Sequence, residues 1–388
     1  MFSKRINKLS ESLTIAISQK ARELKAQGKD VLAFSAGEPD FDTPLIIKEA
    51  AIKAINEGFT KYTAVAGIPE LLKAIQTKLK RDNNLEYELD EIIVSNGAKQ
   101  SLFNIMACLI DEGDEVIIPA PYWVTYPELV KYHDGVPVTI KTDESTNFKI
   151  TPEMLKKAIT PKTKMLILTT PSNPTGAVYT KEELKAIADV LKNTDIWVVS
   201  DEMYEKLIYD GEFTATASIN EDMLKRTITV NGLSKSHAMT GWRFGYLASK
   251  NKELVKNMIK LQSQSTSNIN SITQKAAIPA LLGAADSDVE KMRKEFEKRR
   301  DFVYEAFNKI DGLSAAKPAG AFYIFVNHQK IMPESMNFAL TLLEEKGVAV
   351  VPGVGFGSEG YFRFSFATDL ETIKEGIKRI AEFIKELK

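Results

Sequence analysis

The sequence predicts an α/β protein: a mostly parallel sheet with helices on both faces, joined to a smaller α+β unit. Three observations carry this expectation. Short apolar, β-branched segments alternate with helical ones through the first two thirds of the chain. Such strands, apolar throughout rather than alternating, suit a sheet buried on both sides. Polar residues gather where these strands end, and the pattern changes beyond about Val255, first to helices and then to a mixed segment.

Taken in order, "MFSKRINKLSESLTIAISQKARELKAQG" reads as an N-terminal arm and a helix. Its basic start resembles a transit peptide, but Glu11 and Glu23 argue against one, and motif residues begin by Gly37. "EIIVSNGAKQSLFNIMACLI" is strand, glycine turn, helix; "DEVIIPAPYWVTYPELVKYH" repeats that order, and "VPVTI" adds a strand. "KMLILTTPSNPTG" is a strand entering a Pro/Asn loop, and "KEELKAIADVLKN" is helical. "DIWVVSDEMYEKL" and "RTITVNGLSKSH" supply two further strands. A long charged helix is expected near "DSDVEKMRKEFEKRRDFVYEAFNKI". After Pro318 come "GAFYIFV", a helix near "ESMNFALTLLEEKG", "VAVVPG", "YFRFSFA" and a closing helix.

Composition excludes several classes. The chain has 388 residues, long enough for a substantial core without staples. With 51 Lys and Arg against 52 Asp and Glu, the net charge of −1 gives no support for a nucleic-acid partner. No stretch is apolar for long enough to span a bilayer. The single cysteine, Cys108, sits in an apolar run and reads as a core thiol, which suits a reducing, cytoplasmic setting. His237, His133 and His328 have no metal-ligand spacing.

In open α/β sheets, ligands bind beyond the carboxyl ends of the strands. Those ends carry "SNGAKQ", "APYW", "PSNPTG", "SDEMY" and "NGLSK". The set holds a glycine loop opening a helix, an aromatic ring, an amide, a carboxylate, a phenol and a lysine, an inventory suited to an anionic, aromatic, carbonyl-bearing cofactor. Each member has an ordinary reading. Gly97 and Ala98 can make a turn rather than a phosphate site; Asp201 can be a helix cap; Tyr204 and Trp123 can be core aromatics; Asn173 can be a turn residue; Lys235 can lie on a solvated face. The set rises above background where its members do not. Lys235 follows the strand "TITVNG" and stands among small residues, with Arg243 eight positions on.

"NGLSKSHAMTGWRFG" resembles the lysine motif of class I pyridoxal-phosphate-dependent aminotransferases, most closely the bacterial-type aspartate aminotransferase subgroup. "FSAGEPDFDTP", "KYTAVAGIPELLKAI", "NGAKQSLFN", "PYWVTYPE", "PSNPTGAVY", "VSDEMYEKL", "KPAGAFYIF" and "FRFSFAT" extend the resemblance over nearly the whole chain. It departs from the pattern at Phe244, usually aliphatic, and at Glu11, where relatives often have proline. The resemblance implies the fold type I transferase fold, with residues 1–45 as arm and part of a small domain, 46–285 as a large cofactor-binding domain and 286–388 as the rest of the small domain. It implies pyridoxal 5'-phosphate bound covalently at Lys235, which then carries the substrate Cα proton. Ser234, Arg243, Gly97, Ala98 and Lys99 would surround the phosphate, Asp201 would keep the ring nitrogen protonated, Tyr204 and Asn173 would bond the ring oxygen, and Trp123 would stack on the ring. Arg363, with Asn173, Trp123 and Gly37 nearby, would hold the substrate α-carboxylate. Tyr62 would reach the phosphate of a neighbouring subunit, making the working form a homodimer. Ala120–Pro121 and Asn173–Pro174 would be cis.

The implied reaction is transamination between L-aspartate and 2-oxoglutarate. Lys99 is the clue to a dicarboxylic substrate; its ordinary reading is a solvated first-turn lysine. Alternatives on the same fold are aminotransferases for aromatic amino acids, alanine or prephenate, and a β-lyase. A cofactor-binding regulator is a further alternative, but such proteins carry an added DNA-binding domain, for which the residues before Gly37 leave no room.

Overall fold

The computed structural model describes residues 2–10 and 13–387; Glu11 lies outside the described residues. The strands, in chain order, are β1 (Leu32–Ala33), β2 (Ile92–Asn96), β3 (Glu115–Ala120), β4 (Val136–Lys141), β5 (Thr163–Thr169), β6 (Trp197–Asp201), β7 (Thr227–Gly232), β8 (Phe244–Ala248), β9 (Ser314–Ala315), β10 (Tyr323–Asn327), β11 (Val348–Ala349), β12 (Val351–Pro352) and β13 (Tyr361–Ser365).

Seven strands form the central sheet in the order β2-β8-β7-β6-β5-β3-β4. The pairs β3–β4, β3–β5, β5–β6 and β6–β7 are parallel. Helices between them supply the crossovers, and β6 and β7 are buried almost throughout, as their unbroken apolar and β-branched sequences require.

The sheet differs from the sequence reading at β8, a segment to which no element was assigned. It enters between β2 and β7, antiparallel to both. The connection from β7, residues 233–243, carries no helix and is shorter than the dozen or so residues that a parallel crossover takes, so the chain returns alongside. Lys235 lies in that tight connection. Gly245 lets β8 pass close to the next loop: a Cβ there would collide with the backbone of Gly97 and Ala98. The glycine thereby fixes where the helix Ala98–Leu109 begins.

A second sheet, β12-β13-β10-β9, is antiparallel. The long helix Asp286–Asn308 lays Met292, Phe296, Val303 and Phe307 against it. The closing helix Leu370–Leu387 adds Ile373, Ile377, Ile380 and Ile384, a helical stripe at three- and four-residue spacing. β1 pairs with β11, and Ser365 N–H donates to Phe34 O at 2.9 Å, so the loop carrying Gly37 is anchored to this second sheet.

Behind β6 lies a buried polar group. Lys78 pairs with Glu205, and Asn83 bridges them, accepting from Lys78 Nζ at 2.7 Å and donating to Glu205 Oε2 at 2.8 Å. Glu202 Oε1 accepts from Ser200 Oγ at 2.8 Å and Thr216 N at 3.1 Å, while Oε2 has no partner. Burial, reinforced by the neighbouring Glu205, pushes the Glu202 carboxyl from its ordinary 4.5 up to about 8.

Glu202 is therefore protonated in the folded protein at neutral pH. A folded-state pKa above the unfolded one contributes stability that is full below pH 4.5 and lost as pH rises through about 8. Glu202→Gln is expected to remove much of the alkaline loss, a few kcal/mol in order of magnitude. Urea unfolding of both proteins at pH 6 and pH 9.5 checks this; equal losses in the two would contradict it.

Candidate active site

The carboxyl ends of the parallel strands and the edge of the second sheet enclose a cavity of about 750 Å³. Gly37, Ala98, Lys99, Trp123, Asn173, Asp201, Tyr204, Ser234, Lys235, Arg243 and Arg363 all line it. Gly97 lies one residue behind, against the Arg243 side chain. Tyr62 does not join them: it stands 91% exposed on the surface. Ala120–Pro121 and Asn173–Pro174 are cis, as expected, and so is Thr170–Pro171.

Lys235 is half-buried, and its Nζ donates to Gly37 O at 2.5 Å. Burial first, then the charges of Arg363 and Arg243, pull its pKa from 10.5 down to about 8, against the opposing pull of Glu38 and Asp201. At pH 7 about one-tenth of such amines are neutral, far more than for an ordinary lysine, and the share grows toward pH 8, which favours a nucleophilic or proton-carrying role.

Asp201 ends β6 and is buried. Its Oδ2 accepts from Tyr126 Oη at 2.7 Å and its Oδ1 from Met203 N at 3.3 Å. Burial pushes the carboxyl up, and the Tyr126 hydrogen bond opposes that. Tyr126, whose hydroxyl also meets Thr169 Oγ1 at 2.8 Å, was not singled out in the sequence. It stands three residues after Trp123, at the start of the helix Thr125–Tyr132, and packs edge-on to that ring at 5.5 Å.

Arg363, on β13, is only 2% exposed. Its Nη1 donates to Asn173 Oδ1 at 2.9 Å and its Nη2 to Ser35 O at 2.8 Å, while Nε has no partner. The guanidinium lies 4.3 Å from the Tyr323 ring centroid and 5.2 Å from that of Phe356. Arg363 forms no ion pair with a carboxylate among the described residues. Asn173, having accepted from Arg363, keeps its amide N–H groups for something else.

Arg243 has a left-handed backbone, φ 56°, and its Nη1 donates to Thr240 O at 2.8 Å. Gly97 is required on two counts: its φ is +80°, and a Cβ there would stand 2.5 Å from Arg243 Nη2. The helix Ala98–Leu109 has no side-chain cap at Gly97, so its first amides are open to an anion. Lys99, in that first turn, holds its Nζ 4.8 Å from the Trp123 ring centroid. Burial, then Arg243, pushes its pKa down. One cavity thus collects five cationic side chains, those of Lys99, Lys131, Lys235, Arg243 and Arg363, and its buried carboxylate is Asp201. The arrangement can hold an anion at the helix start, an aromatic ring between Asp201 and Trp123, and a carboxylate at Arg363, all facing a reactive amine.

The chain is similar to known proteins over its whole fold. The family model described as aminotransferase class I and II matches residues 29–380. The chain is 50% identical to the aspartate aminotransferase of Bacillus sp. (strain YM-2), with 99% of each chain covered. It is 49% identical to a probable aspartate/prephenate aminotransferase of Rickettsia bellii, covering 98% of each. The aspartate aminotransferase structure from Rhizobium meliloti superposes with a TM-score of 0.96 at 44% identity, over 99% of both chains. That from Thermus thermophilus with maleate gives 0.95 at 44% identity, over 98% of this chain and 99% of that one.

The lowered pKa of Lys235 is directly checkable. In protein freed of bound small molecules, trinitrophenylation followed by peptide mapping is expected to label Lys235 half-maximally near pH 8. A midpoint near 10.5, the ordinary lysine value, would contradict the electrostatic reading.

Proposed function

The chain belongs to the class I and II aminotransferase family, and we propose that it moves the amino group of L-aspartate to 2-oxoglutarate, giving oxaloacetate and L-glutamate, with pyridoxal 5'-phosphate as its cofactor. The observation that carries this reading is the buried Arg363, unpaired by any carboxylate among the described residues, facing the same cavity as Lys235 and Lys99.

The residues present fit the cofactor. The space that a Cβ at Gly97 would fill is taken by an Arg243 nitrogen, so guanidinium and helix start form one cradle for a phosphate. Ser234 and the amides of Ala98 and Lys99 complete it. Asp201 would hold a protonated ring nitrogen, Tyr204 and Asn173 the ring oxygen, and Trp123 the ring face. When bound, the cofactor supplies an aldehyde carbon that takes the amino group and a pyridinium that accepts the electron pair released at the substrate Cα. Lys235 would hold that aldehyde and, when free of it, would move the proton to and from the substrate Cα; its lowered pKa raises the neutral share of the amine above that of an ordinary lysine. Asp201 would oppose loss of the ring-nitrogen proton, and the Tyr126 hydrogen bond favours its ionised form against the rise that burial causes. Arg363 orients the substrate by its α-carboxylate through the N–H groups not used on Asn173 and Ser35.

Specificity for a dicarboxylate would rest on Lys99, a second cation on a different element with no ion-pair partner among the described residues. The Thermus thermophilus relative was captured with maleate, a dicarboxylate. Prephenate, which also carries two carboxylates and is named for the Rickettsia bellii relative, is the second reading; a cavity of about 750 Å³ has room for it.

We also propose a homodimer. The helix Leu45–Asn56 leaves Leu45, Ile46, Ile52 and Ile55 exposed, an apolar face close in sequence to the exposed Tyr62. A second copy covering that face would bring Tyr62 to its partner's phosphate cradle. No helix among the described residues is long and apolar enough to cross a membrane, and the cytoplasm is the proposed location.

A coupled assay for oxaloacetate released from L-aspartate, dependent on 2-oxoglutarate, tests the activity; its absence in the cofactor-loaded protein would refute the reading. Lys99→Ala is expected to lower kcat/KM for aspartate about ten- to hundredfold relative to alanine, the worth of one charge-assisted contact. Equal loss for both donors would remove Lys99 from specificity. For the dimer, mixing inactive Lys235→Ala subunits with weakly active Tyr62→Ala subunits is expected to restore activity, since some hybrid sites would be intact; no gain on mixing would argue against shared sites.

A further inference from the structure

Tyr323, on β10, is fully buried and belongs to no role given above. It touches three of the site's working groups. Its ring lies 4.3 Å from the Arg363 guanidinium. Its hydroxyl oxygen is 2.9 Å from Tyr204 Oη. A Cβ at Gly37 would stand 3.2 Å from the same oxygen, so the hydroxyl also abuts the residue whose carbonyl holds Lys235 Nζ.

We propose that Tyr323 is a positioning residue that ties the carboxylate clamp to the cofactor-facing phenol: its ring fixes the plane of Arg363, and its hydroxyl donates to Tyr204 Oη, aiming the Tyr204 proton into the cavity. The inference rests on the roles proposed above for Tyr204 and Arg363.

The direction of the hydrogen bond follows from the surroundings. Two phenols share one contact, and neither hydroxyl has another hydrogen-bond partner among the described residues. Burial pushes the pKa of both phenols up, and the Arg363 charge opposes that rise in each. With Tyr323 as donor the Tyr204 proton is left free for the cavity, so the proposed proton order runs from Tyr323 to Tyr204 to the cavity. A hydroxyl that accepts one hydrogen bond donates a stronger one. The reverse order would turn the lone pairs of Tyr204 toward an oxygen bearing negative charge and leave the Tyr323 proton without an acceptor. Because the ring contact and the hydroxyl contact belong to one rigid side chain, a carboxylate arriving at Arg363 and the donor strength of Tyr204 are mechanically linked.

The test compares Tyr323→Phe, Tyr323→Leu, Tyr204→Phe and the double Phe variant as cofactor-loaded proteins. The readouts are the pH midpoint of the long-wavelength absorbance and the dissociation constant of maleate, an unreactive dicarboxylate. A donor to the ring oxygen favours the deprotonated form, so weakening it moves the midpoint up. Tyr323→Phe is expected to raise the midpoint by about 0.5–1 pH unit, with maleate binding within about twofold of the parent because the ring remains. Added to Tyr204→Phe, it should move the midpoint no further, a non-additivity that a general packing role would not produce. Tyr323→Leu should show the same midpoint rise and also weaken maleate about fivefold or more, the ring contact being lost. If Tyr204→Phe shifts the midpoint and Tyr323→Phe does not, this proposal alone is overturned. If neither shifts it, the role of Tyr204 falls as well. Maleate binding weakened as much by Phe as by Leu would overturn the division between ring and hydroxyl.

Discussion

Arg363 is a guanidinium buried without a counter-ion among the described residues, and much of the site is arranged around that fact. Removing an unpaired cation from water costs several kcal/mol in effective terms. The fold offsets part of this with hydrogen bonds to Asn173 Oδ1 and Ser35 O and with the Tyr323 and Phe356 ring faces. None of these groups carries negative charge, and the remaining deficit favours an arriving carboxylate. The same charge, together with burial and Arg243, lowers the Lys235 pKa. Under the proposed function, a cation held in this way would serve both recognition and the reactivity of the amine.

Two constraints in the large sheet put the amine within reach. The direct return from β7 to β8 holds Lys235 at the carboxyl end of a parallel strand, although its neighbour β8 runs the other way. Gly245 and Gly97, on adjacent strand and loop, keep side chains out of the space between β8, the start of the helix Ala98–Leu109 and Arg243. The second sheet supplies Arg363 and, through the Ser365 N–H bonded to Phe34 O, anchors the loop bearing Gly37. The site is therefore a junction of two sheets, and Tyr323 sits where they meet.

Much of this was legible in the sequence because strand ends announce themselves. An apolar run that stops at a polar residue puts that residue at the rim, and Asp201, Asn173 and Lys235 were identified in that way. β8 was not, since "FGYLA" is short, contains glycine and follows a loop that reads as motif rather than as a connection. Tyr126 and Tyr323 were quoted within motifs but given no role: an aromatic residue in an apolar stretch looks the same whether its hydroxyl is idle or bonded, and only the fold shows Asp201 or Tyr204 opposite. The Glu202 network was equally hidden, because it joins residues from separate elements that no local pattern relates. Tyr62 was read in the sequence as acting across a subunit boundary, and in the single chain its side chain stands exposed on the surface.

In this account Lys99, Arg243 and Arg363 act together with the Lys235 amine on an amino acid and then on an oxo acid. The most direct measurement is the absorbance of the cofactor-loaded protein through two separate additions. L-aspartate alone is expected to abolish the long-wavelength band within the mixing experiment and release one oxaloacetate per site, and 2-oxoglutarate added after removal of the aspartate is expected to restore it. A band unchanged by L-aspartate, or lost and not restored by 2-oxoglutarate, would contradict the account.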